Sequence, residues 1–318
     1  MISRRLLRTK VMQIYYAHVQ QGKNEQIETA KKELDKSVHC TLELYYEILA
    51  IITYLADYAD HRMQIAMEKK LPTYEDLHPK RNFADNPVIE TIRQAKCFQK
   101  QTRAPRIPRD MHDKLIRDLY KNLLETETFK NYLNTKDPGL NKHKQIIIFI
   151  INEFLVDDPV LDQMIEEHAI YWNDDIGFVC SLLEKSIQRV KRPGSDNFLI
   201  MKEYTCEEDR RFGKHLLQKA IMHDEEYEAM IEHHSRNWDV ERIATLDKII
   251  MKLAITEFLH MPSVPVKVSI NEYIEISKYY STAKSNAFIN GLLDQIVESL
   301  RQEDKIKKTG RGLVGEGD

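Results

Sequence analysis

The first chemistry this chain offers is cationic. Arg4, Arg5 and Arg8, with Lys10 close behind, open a segment that carries no acidic residue before Glu25. Leu7, Val11, Ile14 and His18 recur at helical spacing, so residues 3–20 are expected to form a helix with the arginines on a flank beside its apolar stripe. Positive charge in a first turn opposes the helix dipole, which favours acids there, so stability does not account for three arginines. A phosphate partner does, because guanidinium groups present forked donors to phosphate oxygens and to base edges. From this helix alone, a solvated basic face with no partner is the favoured reading.

The remaining reactive side chains do not assemble into a catalytic pattern. His233 and His234 are adjacent, hence about 100° apart on a helix, with no cysteine or third histidine at ligand spacing, so a surface or packing role is expected. Cys40, Cys97, Cys180 and Cys206 are scattered, which argues against zinc ribbons and disulfide frameworks and for a reducing cytosol. The sequence holds no glycine-rich phosphate loop, nucleophile elbow or Cys–His pairing, and Asp247 and Asp294 are not paired as acid and base. Glu207, Glu208 and Asp209 read as an acidic helix start. The expectation is a binding protein, not an enzyme, with no metal and no cofactor.

Composition fits that class. The 318 residues are 42% hydrophobic and 31% charged with only ten glycines, which suits packed amphipathic helices in one large helical domain or two modest ones. Net charge is −3, so any nucleic-acid contact must come from a local patch. The most apolar run, Ile146 to Ile151, is far too short for a membrane span, and the N-terminus lacks the continuous apolar core of a secretory signal. A cytoplasmic protein is expected.

Several elements must position the candidate residues. A long second helix is expected from Gln26 to Lys70, through Leu34, Val38, Leu42, Tyr45, Leu49, Ile52 and Leu55. Residues 71–110 scatter Pro72, Pro79, Pro87, Pro105 and Pro108 among polar and basic residues, including Arg103, Arg106 and Arg109, and read as a linker or irregular excursion. Helices then resume over Met111–Leu133, Leu140–Leu155, Pro159–Trp172 and Ile176–Val190. A weak repeat pairs Asp158 with Asp224, Met164-Ile165-Glu166 with Met230-Ile231-Glu232, His168 with His234 and Trp172 with Trp238. Arg192 to Asp196 is a turn, Phe198 to Met201 a short extended segment, and helical pattern returns from Thr205.

The stretch Trp238–Leu300 is the most organised part of the chain. Ile243, Leu246, Ile250 and Leu253 mark one helix, stopped by Pro262 and Pro265. Ser269 and Glu272 have the spacing of a capping box, opening a helix with Ile270, Tyr273, Ile274 and Ser277 inward. A third helix begins near Ser285 and contains Gly291, read as a place where another backbone comes close. Four of the ten glycines fall in the last eighteen residues, so 303–318 is expected to be a disordered tail.

The run Val264-Pro265-Val266-Lys267-Val268-Ser269-Ile270-Asn271-Glu272, then Ile274-Glu275-Ile276-Ser277-Lys278, then Phe288-Ile289-Asn290-Gly291-Leu292-Leu293-Asp294, resembles the C-terminal signature of the NusB family. Asp247-Lys248, Leu253-Ala254 and Glu257 fit the same pattern, and Arg4 to Arg8 followed by Gln13-Ile14-Tyr15-Tyr16 resembles that family's arginine helix. The resemblance implies an all-α fold, a NusB-like pair of small helical bundles. Residues 1–70 would be its N-terminal helices, 71–200 a helical insertion, and 201–302 its C-terminal bundle. It further implies binding of single-stranded boxA RNA from ribosomal RNA operons, together with NusE, a small-subunit ribosomal protein, in an RNA polymerase antitermination complex. On that reading Arg4, Arg5, Arg8 and Lys10 supply charge and Tyr15 or Tyr16 a ring. Lys278, Lys284 and Phe288 are second-rank RNA candidates, with Phe288 favoured as core. Asp247 is placed on the NusE side, and Asn290 and Asp294 are given structural roles. The alternatives are a helical interaction scaffold working through the insertion, and an RNA-binding domain like that of certain RNA cytosine methyltransferases. The latter is disfavoured because no glycine-rich cofactor-binding domain accompanies the signature.

Overall fold

A computed structural model describes residues 2–22, 26–103, 107, 109–156, 158–168, 170–194, 203–204, 206–235 and 243–313, with the side chains of 109–111, 168, 283 and 311 left aside. The chain is all-α, with no strand among these residues. The extended segment expected over Phe198–Met201 lies outside them, as do Arg106, Trp238 and the side chain of Arg109. The chain divides into two compact units, one of His39–Glu203, the other of Ile2–Val38 with Tyr204–Asp318.

The terminal unit is built around one helix. Its elements are α1 (Arg4–Gln20), the start of α2 (Ile27–Met67), α11 (Glu207–Met222), α12 (Asp224–His234), α13 (Thr245–His260), α14 (Val266–Tyr280) and α15 (Ala283–Gln302). Every residue from Ile249 to Phe258 is buried, because α1, α11, α12, α14 and α15 all pack around α13. In α1, Ser3 caps the first turn through Leu6 N at 3.2 Å, and the predicted stripe of Leu7, Val11, Ile14 and His18 is buried.

Four local expectations are corrected here. The helix carrying Ser269 begins at Val266 with Pro265 at its cap, so Ser269 and Glu272 lie inside it and form no capping box. Of the four residues expected inward on α14, only Tyr273 and Ser277 are buried, while Ile270 and Ile274 are partly exposed. Gly291 is exposed on α15, and a Cβ built there meets nothing within 4 Å, so no backbone among the described residues approaches it. The close approach belongs to Gly312, where a Cβ would lie 2.0 Å from the Pro262 carbonyl oxygen. There residues 303–313 of the stretch expected to be disordered are tied down. Lys308 Nζ donates to the Glu257 and Met261 carbonyls at 3.0 Å, and Thr309 N to Pro262 O at 2.9 Å, adding donors to carbonyls at and just beyond the end of α13.

The His39–Glu203 unit holds the rest of α2, then α3 (Tyr74–Leu77), α4 (Pro87–Gln94), α5 (Lys96–Gln101), α6 (Arg109–Glu125), α7 (Glu127–Asn134), α8 (Leu140–Ile150) with a π-helical extension Ile151–Leu155, α9 (Pro159–His168) and α10 (Ile176–Gln188). Residues expected to be an irregular excursion instead contribute to the core, with Phe83, Val88, Ile89, Ile92 and Phe98 buried. Asn86 caps α4 by accepting from Val88 N at 2.9 Å, and Pro87 stands at the first helical position, where its missing amide is harmless. The helices of the weak repeat do different work. Asp158 caps α9, accepting from Val160 N and Leu161 N, whereas Asp224 is a buried partner of Tyr15 and Lys252. α2 is long and apolar enough by composition to cross a membrane, contrary to the reading that no run approaches that length. Its most apolar window is 83% buried within the fold, as in a core helix.

Candidate nucleic-acid interface

The three arginines of α1 meet three different fates. Arg8 is 3% exposed, and its Nε and Nη2 donate to the two oxygens of Glu257 at 2.6 and 3.0 Å. Ser269 Oγ and Tyr273 OH donate to the same carboxylate at 2.7 and 2.8 Å. Four donors therefore converge on a Glu257 with no exposed surface. Burial pulls the Arg8 pKa down, but the charge and hydrogen bonds of Glu257 outweigh it and the net shift is upward. Burial beside Glu257 likewise raises the Tyr273 phenol well above its ordinary range. Arg8 locks α1 to α13 and α14, and its expected contact with RNA does not fit this geometry.

Arg5 remains at the surface with half its side chain exposed, held fork to fork by Glu272 at 2.8 and 2.9 Å. Its bonds to Glu272 raise its pKa and lower that of Glu272. Arg4 is 35% exposed, stacks over the Phe212 ring at 5.2 Å, and donates to Asp209 at 2.8 Å and Glu208 at 3.1 Å. Carboxylates thus fringe both arginines, and a phosphate must share or displace them. The acidic start of α11 owes its position to Arg4 as well as to the dipole.

Lys10 and Tyr15 were expected at an RNA surface but are 1% and 0% exposed. Tyr15 OH bonds Asp224 and donates to Ala220 O at 3.2 Å, and Lys252 Nζ completes the Asp224 site at 2.7 Å. Burial first, and Asp224 second, push the Tyr15 phenol upward. Tyr16 points the other way. It lines an open pocket of about 450 Å³ with Met12, Gln13, Leu246 and Tyr280. Asp247 does not face outward beside it, being 3% exposed and accepting from Ser281 Oγ at 2.5 Å. Lys278 is exposed and paired with Glu275, Lys284 is exposed, and Phe288 is half-buried. Asn290 Nδ2 donates to Asp294 at 3.4 Å, as befits a structural pair on α15.

The profile of the NusB family matches residues 182–298. The transcription antitermination protein NusB of Salinibacter ruber is 43% identical over 106 residues, covering 33% of this chain and 66% of that protein. That of Desulfatibacillum aliphaticivorans is 44% identical over 98 residues, 31% of this chain and 68% of its own length. The chain belongs to the NusB family. The NusB of Chloroherpeton thalassium is 42% identical over 99 residues, so this chain spans about half, 47%, of that relative. No solved structure matches. The NusB segment supplies α11 to α15 of the terminal unit, and α1, which the profile does not reach, packs against α11, α13 and α14 of that segment. Sequence reasoning missed the Glu257 anchor. The signal was a carboxylate inside the apolar run Leu253–Phe258, where an ionised group requires a partner.

Proposed function

We propose that this NusB-family protein is a transcription antitermination factor that binds a boxA-type single-stranded RNA of ribosomal RNA operons together with NusE, as part of the RNA polymerase antitermination complex. It acts as a binding factor and not as an enzyme, in the cytoplasm, where transcription takes place. The observation that carries this reading is the Arg5–Glu272 pair, which brings the arginine helix onto the signature helix α14 across 267 residues of sequence and leaves Arg5 half-exposed. Arg4 and Arg5 supply the α1 share of the RNA surface, with Lys278, Lys284 and Phe288 as the share of α14 and α15. Arg8, Lys10 and Tyr15 hold α1 in place behind them. The pocket beside Tyr16 is lined largely by carbon and suits a protein side chain better than a phosphate backbone, so Tyr16 is assigned to the NusE side. Asp247 fixes Ser281 near that pocket and acts by position.

Fluorescence anisotropy with a labelled boxA-like RNA, with and without the cognate NusE, tests this. Tighter binding with NusE, and at least tenfold weaker binding after Arg4→Ala/Arg5→Ala with an unchanged melting temperature, is the expected result. Binding indifferent to RNA sequence, to NusE and to both arginines overturns it.

A further inference from the structure

The His39–Glu203 unit contains an open pocket of about 490 Å³, within the range of small-ligand sites. Two helices line it at helical spacing. α2 presents Tyr54, Tyr58 and His61, and α6 presents His112, Asp113 and Arg117. Tyr54 and Tyr58 are one turn apart and half-buried. The His112 ring meets Tyr54 edge-on at 5.3 Å, and Tyr120 meets Tyr58 edge-on at 5.4 Å, so both tyrosines are braced from one side. The floor is polar and fixed, because His112 Nε2 bonds Glu47 at 2.7 Å in a pair that is almost wholly buried.

Asp57 at the pocket edge pairs with Arg93. Arg117, His61 and Asp113 line the pocket from its exposed rim, and no hydrogen bond or ion pair engages them among the described residues. A buried, hydrogen-bonded imidazole and carboxyl do not suit a purely apolar guest. Flat tyrosine faces, an unengaged guanidinium and imidazole, and a free carboxylate are the groups that hold an unpaired base and its phosphate. The rings stack the base, Asp113 accepts from an exocyclic amine, and Arg117 with His61 meets the phosphate.

We propose that this pocket binds a nucleotide, its base against Tyr54 and Tyr58 and its phosphate toward Arg117 and His61. The site lies outside the residues matched by the NusB profile and does not depend on the arginine-helix reading. A nucleotide of this chemistry arrives either free or as one unit of a single-stranded RNA.

Saturation-transfer NMR on the full chain with AMP, GMP, CMP and UMP, and with tetranucleotide RNAs, distinguishes the two sources. Base protons of at least one mononucleotide are expected to receive saturation, and Arg117→Glu is expected to weaken that ligand at least tenfold. Tyr58→Ala is expected to do the same, and because Arg117 is exposed its variant reports even if Tyr58→Ala fails to fold. Binding of the tetranucleotides alone, lost in Arg117→Glu, assigns the site to RNA. Inorganic phosphate that competes as well as the nucleotides overturns the proposal, as does an absence of binding or binding indifferent to Arg117→Glu. Arg4→Ala/Arg5→Ala should leave the pocket signal unchanged, which keeps this result separate from that of the boxA experiment.

Discussion

At the scale of single residues, Glu257 shows why a charge inside a helical core is tolerated. Two oxygens accept from Arg8, Ser269 and Tyr273, and no lone pair is left to regret the loss of water. Removing one partner strands the other. Glu257→Gln is expected to cost about 3 kcal/mol, the low end for a broken buried pair, since the buried Arg8 charge keeps only Glu272, 3.5 Å away. Replacing both, as Arg8→Met/Glu257→Met, is expected to cost less than the sum of the two single changes. Urea midpoints of the four proteins measure this, and simple additivity would mean that the pair is not coupled. Arg8 also marks a limit of sequence reading. Its apolar neighbours on α1 follow a local period and were legible, but its ion partner lies 249 residues away. Burial decided between structure and contact, and no spacing rule carries that information.

His260 is the residue that links stability to pH. Burial, then the charges of His223, Lys219 and His215, push its pKa from 6.5 down to about 4. It packs against His223 at 4.9 Å and shares a 3.0 Å bond with the Tyr227 hydroxyl, while Glu226 pairs with His223 and acts in the opposite direction. The folded chain keeps this imidazole neutral over a range where the unfolded chain protonates it. The unfolded state therefore binds more protons, and the stability present above pH 6.5 is lost as pH falls toward about 4. Solvent screening at a half-buried site reduces the effect to about 1 kcal/mol. Comparing denaturation at pH 7 and pH 4.5, His260→Gln should lose less stability on acidification than the parent. An identical loss in both would remove His260 as the origin.

At the scale of elements, hydrophobic period was a good guide and punctuation a poor one. α1 and α2 were legible because their apolar stripes repeat over many turns, whereas α13 is buried all round from Ile249 to Phe258 and was legible from its apolar run and the prolines after it. The region around α4 was not, because Asn86-Pro87 reads equally as a loop and as a cap followed by a first helical residue. Burial of Val88, Ile89 and Ile92 settles which. Ser269–Glu272 erred in the opposite sense, matching a capping box while both side chains were committed to Glu257 and Arg5. Glycine gives a paired test. Gly291→Ala, in open space on a helix, should stabilise by about 0.5–1 kcal/mol, as alanine does at exposed helical positions. Gly312→Ala puts a methyl group 2.0 Å from a carbonyl oxygen and should release the 303–313 segment from α13, speeding amide exchange there. Equal and small effects at both sites would show that the segment is not docked through Gly312.

For the whole molecule, net charge is −3 with a sequence pI near 6.5, so the proposed RNA binding cannot draw on a general positive field. It has to come from a few cations, and those on α1 are already shared with Asp209, Glu208 and Glu272. This sets a quantitative expectation for boxA-type RNA. If Arg4 and Arg5 each neutralise one phosphate, removing both should flatten the log–log dependence of affinity on salt by about 1.4, about 0.7 for each contact on single-stranded RNA. Anisotropy titrations between about 50 and 200 mM salt, comparing the parent chain with Arg4→Ala/Arg5→Ala, measure that difference. A slope unchanged within error, even with weakened binding, would mean that these arginines shape the surface through Asp209 and Glu272 without touching phosphate. The RNA would then have to be held by Lys278 and Lys284 on the signature helices, where the same titration on Lys278→Ala/Lys284→Ala would recover the missing dependence.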